Sequence, residues 1–183
     1  MIDITVPYEY TVEQKAEGAL RLKRLALLLL YILYPATLIF VVGNGSAAII
    51  APLLAFIPLS LWIIIFLTWR YVKISLQYVA QSGKLTFIKH YGSRTHKPQC
   101  EIVLKDAKLI APVGFREHDE RLEIFAPEIT YSALSSKKAT DQYYIAFENA
   151  AGKKCVLFFE ATSKMLEICK MYNPNTVVTK VRY

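Results

Sequence analysis

The stretch that decides the fold is LALLLLYILYPATLIFVVGNGSAAIIAPLLAFIPLSLWIIIFLTW, residues 25–69. It contains no Asp, Glu, Lys, Arg or His, and it is about twice the roughly 20 residues that cross a hydrocarbon core of about 30 Å. The breaker cluster Gly43-Asn44-Gly45-Ser46 divides it into two spans, at about 25–43 and 47–69. So short a connection makes two helices antiparallel neighbours. Because every backbone polar group in lipid needs a partner within the protein, we predict a two-helix transmembrane hairpin.

Basic residues stand just outside both spans, whereas the loop between the spans is uncharged. They are Arg21, Lys23, Arg24, Arg70 and Lys73. By the positive-inside rule they anchor the topology with both chain termini in the cytosol, and Trp69 is expected to be an interfacial anchor. Residues 1–24 then form a cytosolic juxtamembrane segment. This segment contains four acidic residues, which is not typical of a cleavable signal peptide.

After Arg70 the apolar residues recur with a period of two, which is typical of strands. Residues 73–78 and 85–87 flank the turn Gln81-Ser82-Gly83 and predict a β-hairpin. A second and clearer hairpin joins residues 142–148 to residues 154–160. Further strands are predicted near 100–104, 108–111, 124–125 and 129–132. The alternating charges of residues 115–121 predict a solvated loop.

A short helix is predicted near the C-terminus. Thr162 or Ser163 is its expected N-cap, and its apolar stripe is Met165, Leu166, Cys169 and Tyr172. About six or seven strands closed by one amphipathic helix is the element order of a pleckstrin-homology-like barrel. The predicted fold class is therefore an α+β membrane protein. It consists of a transmembrane hairpin followed, over residues 70–183, by a cytosolic β-barrel or sandwich with a C-terminal helix at about 162–172.

Several short motifs carry a resemblance to a known family. They are Phe158-Phe159-Glu160, Lys164-Met165-Leu166, Tyr172-Asn173-Pro174, Ser82-Gly83-Lys84-Leu85 and Ala111-Pro112-Val113. Through them the chain resembles an uncharacterised bacterial family of small two-span membrane proteins with a cytosolic pleckstrin-homology-like domain. The family's N-terminal segment is usually more basic than residues 6–18 are here. The resemblance implies this fold and a place in the bacterial cytoplasmic (inner) membrane. It implies no catalytic residue, because the family has no assigned activity.

The residue pattern predicts no enzyme, no cofactor, no metal site and no small-molecule substrate. The cysteines are Cys100, Cys155 and Cys169. They are odd in number and lack the CxxC spacing of a zinc site. His90 and His96 are interpreted as surface histidines, and His118 lies in a charged stretch with nothing apolar to make it an acid–base group. No GxSxG, Walker-type or GxGxxG motif occurs.

Residues 70–183 carry 18 Lys or Arg against 11 Asp or Glu, whereas residues 1–24 carry four of each. The excess positive charge therefore falls on the membrane-proximal domain, and an anionic leaflet attracts basic residues near its surface by about 1 kcal/mol each. The candidate membrane or partner contacts are Lys84, Lys89, Arg94 and Lys97. The alternative is that these charges are scattered and only solubilising, because no run of four basic residues occurs. Without a nucleic-acid-binding motif, nucleic acid is not a predicted partner.

Taken together, these features predict a membrane-anchored, non-catalytic interaction module. It would be a small subunit of a membrane protein complex or a homo-oligomer, with the lipid bilayer and other membrane protein subunits as partners. Two alternatives stay open. One is an accessory subunit of a transporter, in which kinks at Pro35 and Pro58 pack against a larger partner's spans. The other is a domain that binds anionic lipid at the cytosolic leaflet.

Overall fold

Strands on either side of a helical insertion organise this chain. The computed structural model describes residues 7–43, 47–92 and 95–179. Within them the chain divides into a helical unit, residues 15–74 with 91–95, and a β-rich unit, residues 7–14, 75–90 and 96–179. The domain boundaries expected from the sequence, after residues 24 and 69, differ from this division. Residues 7–14 belong to the β-rich unit, and the helical unit begins at residue 15 and extends to residue 74.

The helical unit consists of two helices. Helix α1 runs over Gly18–Gly43 and helix α2 over Ala47–Trp69. Helix α1 begins at Gly18 rather than near residue 25, because the amides of Leu20 and Arg21 already donate to the carbonyl of Glu17 at 3.1 and 3.4 Å. The basic residues Arg21, Lys23 and Arg24, which precede the first predicted span, therefore lie within helix α1. Residues 44–46 of the predicted turn lie outside the described residues.

The two helices expose many large apolar side chains. Ile32, Phe40 and Trp62 are 70%, 75% and 63% exposed. By length and apolarity, one stretch among the described residues, Gly18–Phe40, is long enough to cross a membrane, and Ala55–Trp69 is an apolar helical stretch shorter than a span. Two membrane crossings therefore stay a prediction.

The first sheet contains four strands in chain order. They are β1 (Tyr8–Glu13), β2 (Ile74–Gln81), β3 (Lys84–Tyr91) and β4 (Thr95–Val103). The predicted hairpin is confirmed as β2–β3, and Ser82 and Gly83 at its turn have φ of 50° and 77°, as a type I′ turn requires. Strand β1 was not predicted. It pairs antiparallel with β2, from Tyr8 opposite Ala80 to Glu13 opposite Ser75.

The second sheet has the strand order β5-β7-β8-β6. These strands are β5 (Leu109–Pro112), β6 (Ile129–Ala133), β7 (Gln142–Glu148) and β8 (Lys154–Glu160). The predicted β7–β8 hairpin is confirmed, with Ile145 opposite Leu157. Strand β6 runs parallel to β8. The described residues thus contain eight strands, rather than the six or seven expected.

A helix replaces the loop that was predicted over residues 115–121, and that prediction is wrong. Helix α3 runs over Arg116–Phe125, so the short strand predicted at 124–125 is wrong as well. The alternating charges include an ion pair of the kind that stabilises a helix. Arg116 and Glu120 lie one turn apart, and their Nε and Oε1 atoms are 2.9 Å from each other. Leu122 packs on the small cluster formed by Ala111, Tyr144 and Val156.

The C-terminal helix, α4, runs over Ser163–Tyr172, and its predicted N-cap is confirmed, because the Thr162 side chain accepts from the amide of Met165. The main core combines side chains from both sheets with those of α4. Its largest fully buried members include Tyr78, Phe87, Phe159, Leu85, Ile145, Leu157 and Met165. Ile168 joins the predicted apolar stripe of α4. The helix therefore closes a core shared by the two sheets.

Candidate functional site

Polar contacts join the two helices along their shared side. The Tyr34 hydroxyl donates to Ser60 Oγ at 2.8 Å, and Ser60 Oγ donates in turn to the carbonyl of Phe56 at 2.9 Å. Further along, the hydroxyls of Tyr31 and Thr68 lie 2.6 Å apart. Thr68 gives its one proton to a carbonyl of its own helix, so Tyr31 is the donor. The helices are thus antiparallel, and these hydroxyls are paired between them.

A third contact closes the end of the hairpin at which the chain enters and leaves. Arg24 on α1 donates from Nε and Nη2 to the carbonyl of Val72, just after α2, at 3.3 and 3.0 Å. The next carbonyl, of Lys73, accepts from the amide of Gly92 at 2.8 Å. Arg70 lies against the ring of Tyr71, with its guanidinium carbon 4.9 Å from the ring centroid.

The contact of Arg24 with Val72 brings the predicted topology anchors together at one end of the hairpin. We call the following five residues the basic collar: Arg21, Lys23, Arg24, Arg70 and Lys73. All but the half-buried Arg24 are exposed. The predicted interfacial residue Trp69 ends α2 beside the collar and is 38% exposed. The sequence identified these residues one by one, and the structure groups them.

The four predicted contact residues of the first β-hairpin do not form one group. Lys84 begins β3, at the end of the hairpin opposite Ile74, and its Nζ lies 2.7 Å from Glu101 Oε1 on β4. Lys89 lies half-buried near the other end of β3, and Lys97 is exposed on β4. Arg94 lies outside the described residues. Lys84 therefore does not share a surface with Lys89.

The division into two units changes where the positive charge lies. The described residues of the β-rich unit contain 13 Lys or Arg and 13 Asp or Glu, so their net charge is zero. The described residues of the helical unit contain six Lys or Arg and one acidic residue, Glu17, for a net charge of +5. The sequence assigned the excess to residues 70–183 because that range includes Arg70 and Lys73 of the helical unit and leaves out the acidic strand β1. That range also counts Arg94, Lys180 and Arg182, which lie outside the described residues.

The β-rich unit has a polar cleft beside the start of α4. The cleft has a volume of about 680 Å³ and lies among β1, β8 and α4. Its polar groups are partly committed to the fold. Glu160 accepts from the amide of Ser135 at 2.5 Å, and the Tyr8 hydroxyl lies 2.8 Å from Thr162 Oγ1. The first contact fixes the segment after β6 against the end of β8, and the second fixes β1 against the start of α4, which makes the cleft a structural junction.

The thiols are poorly suited to nucleophilic chemistry. Cys155 and Cys169 are buried and Cys100 is half-buried, and all three are free. Burial raises the pKa of both Cys100 and Cys169 to about 12, and it raises the pKa of Cys155 as well. Because the thiolate is the reactive form, these groups are weak nucleophiles and weak metal ligands at neutral pH.

The three histidines have different surroundings: His90 is hydrogen-bonded, His96 lies beside its ring, and His118 Nδ1 is buried without a hydrogen-bond partner among the described residues. His90 Nε2 lies 2.7 Å from Gln77 Oε1, and Gln77 Nε2 donates to Glu9 Oε2 at 2.9 Å. The rings of His90 and His96 are 6.1 Å apart. Across the part of the chain that the structure describes, no group of three or more His, Cys, Asp or Glu side chains could hold a metal ion.

The fold agrees with a comparison of the whole sequence. A family model described as a bacterial PH-like domain (DUF6106), where PH stands for pleckstrin homology, matches residues 6–179. The chain belongs to this family of bacterial PH-like domains. The family expected from the sequence is thereby confirmed. No significant match was found among curated proteins or among solved structures.

The match extends across both flanks of the helices in this PH-like chain. It begins at residue 6, just ahead of β1, and ends at residue 179, after α4. PH-like domains commonly mediate protein or lipid interactions, which fits a non-catalytic module. The signal for β1 was present as alternation, because Tyr8, Tyr10 and Val12 are half-buried while the residues between them are exposed. Strand β1 was nevertheless not predicted, because it has only six residues and lies just ahead of the long apolar run, within the expected juxtamembrane segment.

Proposed function

We propose that this PH-like protein is a membrane-anchored, non-catalytic interaction module that serves as a small subunit of a membrane complex. Helices α1 and α2 insert into the bacterial cytoplasmic membrane as a hairpin. The β-rich unit and both termini lie in the cytosol. The accessory-subunit alternative differs only in the nature of the partner, a transporter in place of another membrane protein.

The pairing of β1 with β2 is the observation that carries the proposal. Strand β1 precedes the helices, β2 follows them, and the two are hydrogen-bonded neighbours in one sheet. Strands of one sheet lie on the same side of a membrane, so the chain between them must cross it an even number of times. Residues 18–40 are long and apolar enough for one crossing. If they cross, α2 must provide the return.

The same pairing argues against a cleaved signal sequence. Cleavage after α1 would remove β1 from the sheet. Tyr8, Tyr10 and Val12 of β1 pack against the main core. Losing them would expose core side chains and leave β2 as an unprotected edge strand.

The polar groups of the hairpin also suit lipid. An isolated hydroxyl in hydrocarbon costs free energy unless it finds a partner. Tyr31, Tyr34, Ser60 and Thr68 meet one another between the helices. Large apolar side chains such as Ile32 and Trp62 remain on the outside. A hairpin with paired polar groups inside and apolar groups outside is the arrangement expected of two packed spans.

Cysteine accessibility tests the topology. Single cysteines replace Thr11 on β1, Ser46 between the helices and Thr130 on β6, in a background with the native cysteines changed to alanine. In spheroplasts an impermeant maleimide should label Ser46→Cys, whereas Thr11→Cys and Thr130→Cys should react only after permeabilisation. Labelling of Thr11→Cys and Thr130→Cys from opposite sides would contradict the proposal, and so would recovery of the chain in the soluble fraction.

Purification in mild detergent, followed by mass spectrometry of intact complexes, tests the role as a subunit. A stoichiometric membrane protein partner or a homo-oligomer should appear with the chain. A transporter as partner would select the accessory-subunit alternative. A chain that purifies as a monomer from native membranes at native expression level would contradict the proposed role.

A further inference from the structure

We infer that the basic collar binds the phosphate-bearing headgroups of anionic phospholipids, and that the β-rich unit contributes little to this binding. The inference rests on the proposed insertion of the hairpin. It names a ligand class for the protein. It also places the binding site on the collar, whereas the sequence placed the candidate contacts on the first β-hairpin.

Charge is the first argument. The described part of the β-rich unit is neutral, whereas the described part of the helical unit carries +5. All six basic residues that the structure describes in the helical unit lie within residues 15–24 and 70–73, at one end of the hairpin, with Glu17 as their acidic neighbour. Attraction to an anionic surface falls off over a Debye length of about 8 Å at physiological salt. The site of binding therefore depends on this local cluster more than on the net charge of the chain.

Geometry is the second argument. The hydrogen bonds from Arg24 to the Val72 carbonyl, at 3.0 and 3.3 Å, hold the start of α1 beside the end of α2. The exposed Arg21 and Lys23, which precede Arg24 on α1, therefore lie at the same end of the hairpin as the exposed Arg70 and Lys73. Fixing the backbone in this way lowers the entropy lost when several cations engage one phosphate-rich surface.

Depth is the third argument. Residues 25–43 of α1 rise about 28 Å at 1.5 Å per residue, close to the roughly 30 Å of a hydrocarbon core. If that stretch spans the core, the collar lies at the level of the headgroups. Trp69 and Tyr71, which are 38% and 58% exposed, lie among the collar residues, where aromatic side chains favour the membrane interface.

The experiment uses the full chain in phosphatidylcholine bilayers and exploits its two tryptophans, Trp62 and Trp69. Trp62→Phe leaves Trp69 beside the collar as the only indole. Lipids with a nitroxide near the top of the acyl chain quench its fluorescence, and quenching by phosphatidylglycerol relative to phosphatidylcholine measures lipid preference at the collar. At low salt we expect a preference for phosphatidylglycerol. Since each basic residue near an anionic surface contributes about fivefold, neutralising a pair should lower the preference by at least several-fold.

Each variant, called a half-collar, neutralises the exposed collar residues beside one helix and keeps the positive charges beside the other helix. The two variants are Arg21→Gln with Lys23→Gln, and Arg70→Gln with Lys73→Gln. The matched controls change two exposed lysines of the β-rich unit, Lys105→Gln with Lys153→Gln. Maleimide labelling of Ser46→Cys confirms that each variant keeps its topology. Loss of preference in both half-collars, with the control unchanged, supports the inference.

Three results would overturn it. These are an absence of preference in the wild-type chain, an equal loss in the control, and displacement of the quenching lipid by millimolar inorganic phosphate, which would indicate a site for free phosphate. The membrane proposal fails in a different way. In that case Trp69 is quenched by neither lipid and the chain does not float with the bilayers, and the inference falls with it.

Discussion

Glu13 lies directly opposite Ser75 in the antiparallel β1–β2 ladder, although the whole helical hairpin stands between them in the chain. The hairpin is thus an insertion between two neighbouring strands. Its entry and exit are fixed about one strand spacing apart, which is 4.7–4.9 Å in any sheet. This relationship leads to a specific expectation about how the β-rich unit can be isolated.

Replacing residues 15–73 by a short Gly-Ser linker should give a soluble, cooperatively folding β-rich unit. The linker need only join Gln14 to Ile74, since their neighbours Glu13 and Ser75 are already paired. A version that begins at Ile74 and lacks β1 should be less stable by about 3 kcal/mol, because the half-buried Tyr8, Tyr10 and Val12 each contribute about 1 kcal/mol. Urea unfolding followed by circular dichroism measures the difference. Equal stability of the two versions would contradict the assignment of β1 to the sheet.

A pair of glycine substitutions separates backbone strain from steric contact. Gly83 has φ of +77°, and a Cβ there would lie 3.0 Å from Tyr172 Cε1. Gly114 has φ of +88° and open space around it. Both changes to alanine impose about 1–2 kcal/mol of strain, but Gly83→Ala must also displace Tyr172 from its place beside the turn. We expect Gly83→Ala to lower the free energy of unfolding more than Gly114→Ala, and equal losses would contradict the contact.

The sequence predicted the elements whose local pattern is strong. The β2–β3 turn needs positive φ at Ser82 and Gly83, and the α4 cap needs a side-chain acceptor at Thr162, so both could be recognised locally. Helix α3 was not predicted because few of its side chains pack against the core. Its exposed Ile124 breaks the expected apolar stripe, and the Tyr144 hydroxyl holds it by donating to the carbonyl of His118.

The collar could be predicted only in part. Flanking charges were visible one residue at a time, yet their grouping depends on the contact from Arg24 to the Val72 carbonyl, between residues far apart in the chain. The charge balance of the β-rich unit depends likewise on β1, since Glu9 and Glu13 join the sheet only through pairing with β2. The alternation within β1 is a local signal for a strand, but it does not identify β2 as the strand with which it pairs.

The tyrosines between the helices should stabilise the hairpin by a measurable amount. Tyr34→Phe removes the donor to Ser60, and Tyr31→Phe removes the donor to Thr68. Hydrogen bonds between membrane helices are worth about 0.6–1.7 kcal/mol. Each change should therefore lower resistance to unfolding in sodium dodecyl sulfate by that amount. Thr37→Val is the control, because Thr37 donates within α1, to the carbonyl of Tyr34. If Thr37→Val lowers the resistance to unfolding as much as the tyrosine variants do, the hydrogen bonds between the helices make no specific contribution to stability.

The thiol of Cys169 should make the stability of the β-rich unit fall with rising pH. Burial raises its pKa in the folded state to about 12 from an ordinary value of 9.0. Between these values the unfolded state has lost a proton that the folded state keeps, so the free energy of unfolding decreases as pH rises, by up to about 1.4 kcal/mol per pH unit for one group. Urea unfolding of the linker-joined β-rich unit from pH 8 to pH 11 measures this slope. Buried tyrosines such as Tyr78, whose pKa is also raised by burial, contribute to the same fall. The comparison is therefore with Cys169→Ala, which is less stable throughout but should have the shallower slope above pH 9. Parallel curves for the two proteins would show that the thiol does not remain neutral in the folded state.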